Sequence, residues 1–181
     1  KGLTTLVDSF IQLAKRDRVP GARLRIGGAA TPADESYIAG LKRKLALAGL
    51  SDRVSWEPNL TFEDKVKFLH EISVFSVPAT SGEAFGLYVI EAQACGVPVV
   101  QPRHGAFPEL IECTQGGVLC EPDDPLSLAA ALEDLLLHRE KQEQLGAEGR
   151  KMTRDRFSAA RMALEFESIL ESPIARANGC R

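Results

Sequence analysis

The sequence predicts an α/β fold, a parallel sheet covered by helices on both faces. Three observations carry that prediction. Short apolar runs rich in β-branched residues alternate with segments of helical spacing along the whole chain. No internal repeat or low-complexity segment interrupts the alternation. With 181 residues, 44% of them hydrophobic, the chain can bury one sizeable core without help from disulfides. A sheet of this kind binds its ligand at the carboxyl ends of the strands.

A helix opens directly after Lys1-Gly2, with Leu3, Leu6, Phe10, Leu13 and Ala14 on one stripe, and ends before Pro20-Gly21. Leu24 to Ile26 is a short strand closed by Gly27-Gly28. Thr31-Pro32 reads as N-cap and first helical residue, with Asp34 in the first turn, of a helix that stops at Gly49. Val54 to Trp56 is a strand broken by Pro58-Asn59, and Phe62 to Glu71 is a helix with Val66, Leu69 and Ile72 inward. Val74 to Pro78 has the β-branched density of a buried strand. Beyond the central unit come a strand (98–101), a helix (107–113), a strand (117–120), an amphipathic helix (126–137) and a charged helix (142–157). Ser158 caps a last helix carrying Met162, Phe166, Ile169 and Leu170. The tail after Ser172-Pro173 is expected to fray.

Charge and cysteine usage narrow the function. Lys+Arg 22 against Asp+Glu 25 gives a net charge of −3, so no broad electrostatic footprint for nucleic acid exists. Cys95, Cys113, Cys120 and Cys180 form no CxxC pair and no metal-ligand spacing with the three histidines; free thiols in a reducing compartment are expected. No apolar run approaches the ~20 residues of a membrane span, and the N-terminus lacks a signal-peptide layout. The expectation is a cytoplasmic globular domain.

The chemistry concentrates in residues 76–92. The run to Pro78 ends in a loop of small residues, after which Leu87, Ile90, Glu91 and Ala94 recur at helical spacing. A strand, a small-residue loop and a helix N-terminus together hold anions well, because the first-turn amides lack partners and the dipole is positive there. Yet this loop carries Glu83, and Glu91 follows eight residues later, on a side chain that leans back toward the same mouth. Carboxylates do not accept from phosphates, but they accept from sugar hydroxyls. A ligand with both phosphates and hydroxyls, a sugar nucleotide, fits. The plainer alternative is that Glu83 stabilises the dipole and Glu91 is a solvated helix residue.

Gly82-Glu83-Ala84-Phe85-Gly86-Leu87, Glu91-Ala92 and Ala94-Cys95-Gly96-Val97-Pro98-Val99-Val100 resemble the Glu-x7-Glu signature of retaining GT-B glycosyltransferases of the group 1 type. Gly105-Ala106-Phe107-Pro108-Glu109-Leu110 follows where that family often has Gly-Gly-x-Pro-Glu, and the likeness runs from Lys1 to about Leu170. Ala84 departs from the family's usual glycine. The resemblance implies a Rossmann-like donor-binding domain, the C-terminal half of a GT-B fold, over residues 1–172. It also implies an N-terminal acceptor-binding domain as partner. The family has a strand just before the Lys-Gly pair, so either residues precede Lys1 or the sheet has rearranged.

The same resemblance assigns Glu83 to the donor-sugar hydroxyls near the reacting carbon and Glu91 to the ribose. It gives Lys1 to the diphosphate, the backbone amides of Phe85, Gly86 and Leu87 to donor sugar and phosphate, and Asn59, Leu60 and Lys65 to the nucleobase. No Asp-x-Asp occurs, so no metal and no other cofactor is expected; a helix N-terminus and basic side chains stabilise the leaving group instead. Two alternatives remain: a nucleotide-sugar binding module without chemistry, and a GT-B epimerase. A dinucleotide oxidoreductase is disfavoured, because Gly27-Gly28 lacks the Gly-x-Gly-x-x-Gly frame. Ser81 likewise lacks the nucleophile-elbow frame of a serine hydrolase.

Overall fold

The computed structural model describes residues 1–171. In order they form α1 (Leu3–Arg16), β1 (Leu24–Gly28), α2 (Glu35–Leu47), β2 (Val54–Pro58), α3 (Phe62–His70), α4 (Leu87–Ala94), β3 (Val99–Pro102), α5 (Phe107–Thr114), β4 (Gly117–Cys120), α6 (Pro125–Leu137), α7 (Arg139–Phe157) and α8 (Ala159–Glu171). Single 3₁₀ turns, Pro32–Asp34 and Ser51–Arg53, precede α2 and β2. The tail expected to fray lies outside the described residues.

Local chemistry explains the boundaries. Thr31 and Asp34 cap each other reciprocally, and Pro32 occupies the first position of that turn. The Thr61 hydroxyl accepts from the Asp64 amide at the start of α3. Asp124 accepts from the amides of Leu126 and Ser127, with Pro125 opening α6.

Both strand pairs are parallel, β1 with β2 and β3 with β4. Helices cover both faces of β3. Val99, on one face, joins Val89 and Ala92 of α4 and Phe107, Leu110 and Ile111 of α5. Val100, on the other, joins Leu128 and Leu135 of α6 together with Leu6 of α1. Leu24 and Ile26 of β1 and Val54 and Trp56 of β2 pack on a third cluster built by Val7, Phe10, Leu41 and Leu45.

Two expectations need correction. Val74–Pro78 is not a strand: it makes a single parallel bridge, Phe75 to Val99, through Phe75 N–H to the Pro98 carbonyl and Val100 N–H to the Phe75 carbonyl. A ladder with a partner on one side only gains few bonds per residue, and β-branched composition alone does not extend it. For the same reason the hydrogen-bonded sheet divides into two pairs rather than running continuously. α8 forms as expected, and its Met162, Phe166, Ile169 and Leu170 stand exposed.

α7 lies unusually close to the turns beneath it. A Cβ on Gly116 would fall 2.6 Å from the Gly149 Cα, and one on Gly146 would collide with the Gly96 carbonyl. Gln93 of α4 fills the seam, donating to the Thr114 hydroxyl at 3.0 Å and accepting from Thr153 of α7 at 3.3 Å. The buried amide therefore fixes α4 against both α5 and α7.

Candidate functional site

α4 begins at Leu87, with Gly86 as its N-cap at φ 87°. A left-handed cap position favours glycine, since other residues lose energy there. Among the described residues no side chain caps this helix and no acid lies in its first turn; the Val89 amide turns back to the Gly86 carbonyl at 2.8 Å, which leaves the amides of Leu87 and Tyr88 uncapped. Glu83 consequently sits in the loop ahead of the helix rather than within its first turn. That removes dipole stabilisation by a first-turn residue as its explanation.

The Glu83 backbone is anchored from behind. Its carbonyl accepts from the Ala106 amide at 2.9 Å, and Gly105 lies so close that a Cβ there would be 2.7 Å from the same oxygen. Its carboxylate is anchored in front: Oε2 accepts from the Tyr88 phenol at 2.8 Å and the Lys1 ammonium at 3.1 Å. Those bonds, the phenol's first, together with the Phe85 backbone amide hold the Glu83 carboxyl down to about 2. Burial, and then the bond to Glu83, push the Tyr88 phenol well above its ordinary value, so it remains a donor. Lys1 also lies over the Tyr88 ring, 4.8 Å from its centroid. The chain reaches this spot because Gly2 packs directly on the Pro78 carbonyl, where a Cβ would collide.

Glu91 is held differently. It projects from α4 to a single partner, the Lys65 ammonium of α3, at 2.7 Å, and both side chains are about two-fifths exposed (43% and 38%). Each of the two carboxylates thus meets a different lysine.

The remaining expected residues divide. Phe85 and Leu87 are exposed beside the helix start; Phe85 meets Phe157, the last residue of α7, edge to face at 6.1 Å. Leu60 packs on the core near Phe68. Asn59, at φ 56°, spends its side-chain amide on Ala30, accepting from its N–H at 2.9 Å and donating to its carbonyl at 3.0 Å, so it fastens the β1–α2 connection. His104 stacks on Phe107 at 6.3 Å, and neither ring nitrogen has a partner among the described residues. Lys151, Arg154 and Arg156 are exposed. Tyr88 is the residue that sequence reasoning missed. Its one signal was position: in the first turn of α4, five residues after Glu83.

A hollow of about 220 Å³ lies elsewhere, lined by Lys42, Leu45, Ser51, Val54 and Trp56. It adjoins the start of β2, away from the carboxyl ends of the strands where ligands of parallel sheets bind.

A family model described as glycosyl transferases group 1 matches residues 1–152. A D-inositol 3-phosphate glycosyltransferase of Mycobacterium marinum is 31% identical over 149 residues, covering 82% of this chain and 30% of the relative. The chain spans about a third of the length of the first curated relatives it matches. Among solved structures, a sucrose-phosphate synthase from Thermosynechococcus elongatus aligns with a TM-score of 0.82 at 28% identity, over 97% of this chain and 43% of that one. Anabaena HepE, solved in complex with UDP, shares the fold with a TM-score of 0.82 at 22% identity, over 94% of this chain and 45% of that one.

Proposed function

This chain belongs to the glycosyl transferases group 1 family and has the fold of a GT-B C-terminal half, and on that premise we propose that it is the donor-binding domain of a retaining glycosyltransferase. In this reading the whole enzyme moves a sugar from a nucleoside-diphosphate sugar to an acceptor hydroxyl, and a separate N-terminal domain supplies the acceptor side. The observation that carries the proposal is the start of α4, an uncapped helix end with an ionised Glu83 fixed beside it.

The roles follow from charge and geometry. As the bond to the sugar breaks, negative charge develops on the diphosphate, and stabilising that charge lowers the barrier. The free amides of Leu87 and Tyr88 and the ammonium of Lys1 supply positive charge there, without a metal. Glu83 takes hydroxyls of the donor sugar and Glu91 those of the ribose. Lys65 holds Glu91 until the ribose arrives. An exposed ion pair of this kind contributes only about 0–1 kcal/mol, so sharing the carboxylate with ribose hydroxyls costs little. Leu60 borders the base.

Titration of this chain with uridine, guanosine and adenosine diphosphates, followed by amide NMR, tests the assignment. Shifts are expected from Gly82 to Glu91; shifts confined to other segments would overturn it. The positioning of an acceptor contributes roughly 7–11 kcal/mol of barrier reduction. Transfer from a radiolabelled donor is therefore expected from the full-length protein, with undiminished rate in EDTA, and not from residues 1–181 alone.

A further inference from the structure

We propose that Tyr88 is a positioning residue that fixes the Glu83 carboxylate, filling Oε2 so that Oε1 is the oxygen presented to a sugar hydroxyl of the bound donor. The inference rests on the donor-site reading above and assigns a sugar-specific role within it.

Three features converge on Glu83. The first is the unequal use of its two oxygens. Oε2 takes both the Tyr88 phenol at 2.8 Å and the Lys1 ammonium at 3.1 Å, whereas no side chain among the described residues donates to Oε1. A carboxylate oxygen has about two lone-pair sites, so Oε2 is full, and Oε1 retains acceptor capacity even with the Phe85 amide also bonding this carboxylate.

The second feature is the rigidity of the phenol. The Tyr88 ring packs against Phe75 and Phe107, each at 6.3 Å between centroids, and Phe107 is fully buried with His104 stacked on it. Tyr88 is therefore one rung of a ladder that runs Phe75, Tyr88, Phe107, His104. The third is the backbone anchor at Gly105 and Ala106. With its main chain held behind and one oxygen held in front, the flexible glutamate side chain is ordered before the ligand arrives.

Lys1 cannot replace the phenol in this task. Its side chain is 68% exposed, and an ammonium on a flexible stem attracts without fixing direction. A sugar hydroxyl is neutral and is recognised by direction, so it depends on the phenol. A diphosphate gains nothing from a carboxylate and does not.

The test is Tyr88→Phe in the full-length protein, which keeps the ring and removes the hydroxyl. Affinities are measured for uridine, guanosine and adenosine diphosphates and for UDP-glucose, GDP-mannose and ADP-glucose. The diphosphate preferred by the wild type should bind the variant within about twofold, while the matching nucleotide sugar weakens by about three- to tenfold. Carbon-13 NMR of the Glu83 carboxyl should show its titration midpoint rising from about 2. Equal loss for both ligands with a lowered Tm would make Tyr88 merely structural and overturn the proposal. An unmoved Glu83 midpoint would overturn the Tyr88 lock whatever the ligands do. If the wild type binds none of the six ligands, the donor reading fails, and the sugar-specific role fails with it, even where the midpoint rises.

Discussion

The loop that carries Glu83 and the helix face that carries Glu91 hold the same chemical group by opposite means. Glu83 is tied at backbone and side chain, through Ala106, Tyr88 and Lys1, and only 18% of its side chain is exposed. Glu91 has one lysine partner and 43% exposure. A carboxylate with several fixed donors is ordered before any ligand arrives. One with a single flexible donor pays its ordering entropy on binding. The fold thus holds one carboxylate fixed and leaves the other adjustable.

The comparison breaks most sharply at Gly105. Its φ of 59° already disfavours a side chain, and a Cβ would crowd both the nitrogen and the carbonyl of Glu83. Gly105→Ala should therefore cost about 2 kcal/mol or more, seen as a Tm lowered by roughly 4–8 °C. Gly82→Ala, where a Cβ meets nothing within 4 Å, should leave Tm unchanged. Equal Tm for the two variants would show that the loop is not held from behind.

Glu91→Ala comes next. Loss of a charge-assisted hydrogen bond of roughly 1.5–3 kcal/mol should weaken binding of the preferred nucleoside diphosphate by one to two decades. Calorimetry should show that loss with little change in Tm. Unchanged affinity with a lowered Tm would make Glu91 a structural residue.

Smaller still is Lys65→Ala, which removes an exposed pair. Stability should change by less than about 1 kcal/mol, and the effect should shrink further in 0.5 M salt as screening grows. A loss of several kcal/mol in denaturant titration would show that Glu91 is held as firmly as Glu83.

Acid separates the two carboxylates as well. Glu83 is pulled from its ordinary 4.5 to about 2 in the folded chain, so the folded state binds fewer protons than the unfolded one. Its contribution to stability is then fully present above the unfolded value and fades as pH falls from about 4.5 toward 2. The Tm difference between wild type and Glu83→Gln should be flat from pH 8 to 5 and close below that. A difference that collapses near pH 6 would contradict the lock.

Much of this was legible in the sequence, because periodicity and caps are local properties. The spacing of Leu87, Ile90, Glu91 and Ala94 placed α4, and Thr31-Pro32 marked the entry to α2. The two glutamates stood out from the small-residue loop. What escaped depends on contacts between distant segments. Nothing in residues 74–78 says that the ladder ends after one bridge. Nothing local pairs Lys65 with Glu91 across 26 residues, or says that Asn59 is committed to Ala30. Tyr88 was hidden for the same reason: nothing local says that a residue in the first turn of α4 folds its phenol back onto a loop glutamate five residues earlier.

The glycine seam under α7 has a mechanical consequence. With Gly149 against Gly116 and Gly146 against Gly96, that helix has no compressible side-chain layer between its backbone and the turns below. A rod seated so hard transmits displacement with little loss. Its last residue, Phe157, rests on Phe85 at the start of α4 and adjoins the first residues of α8. A load on α8 therefore has a stiff fulcrum and a short arm, and the loop that carries Phe85 feels it first.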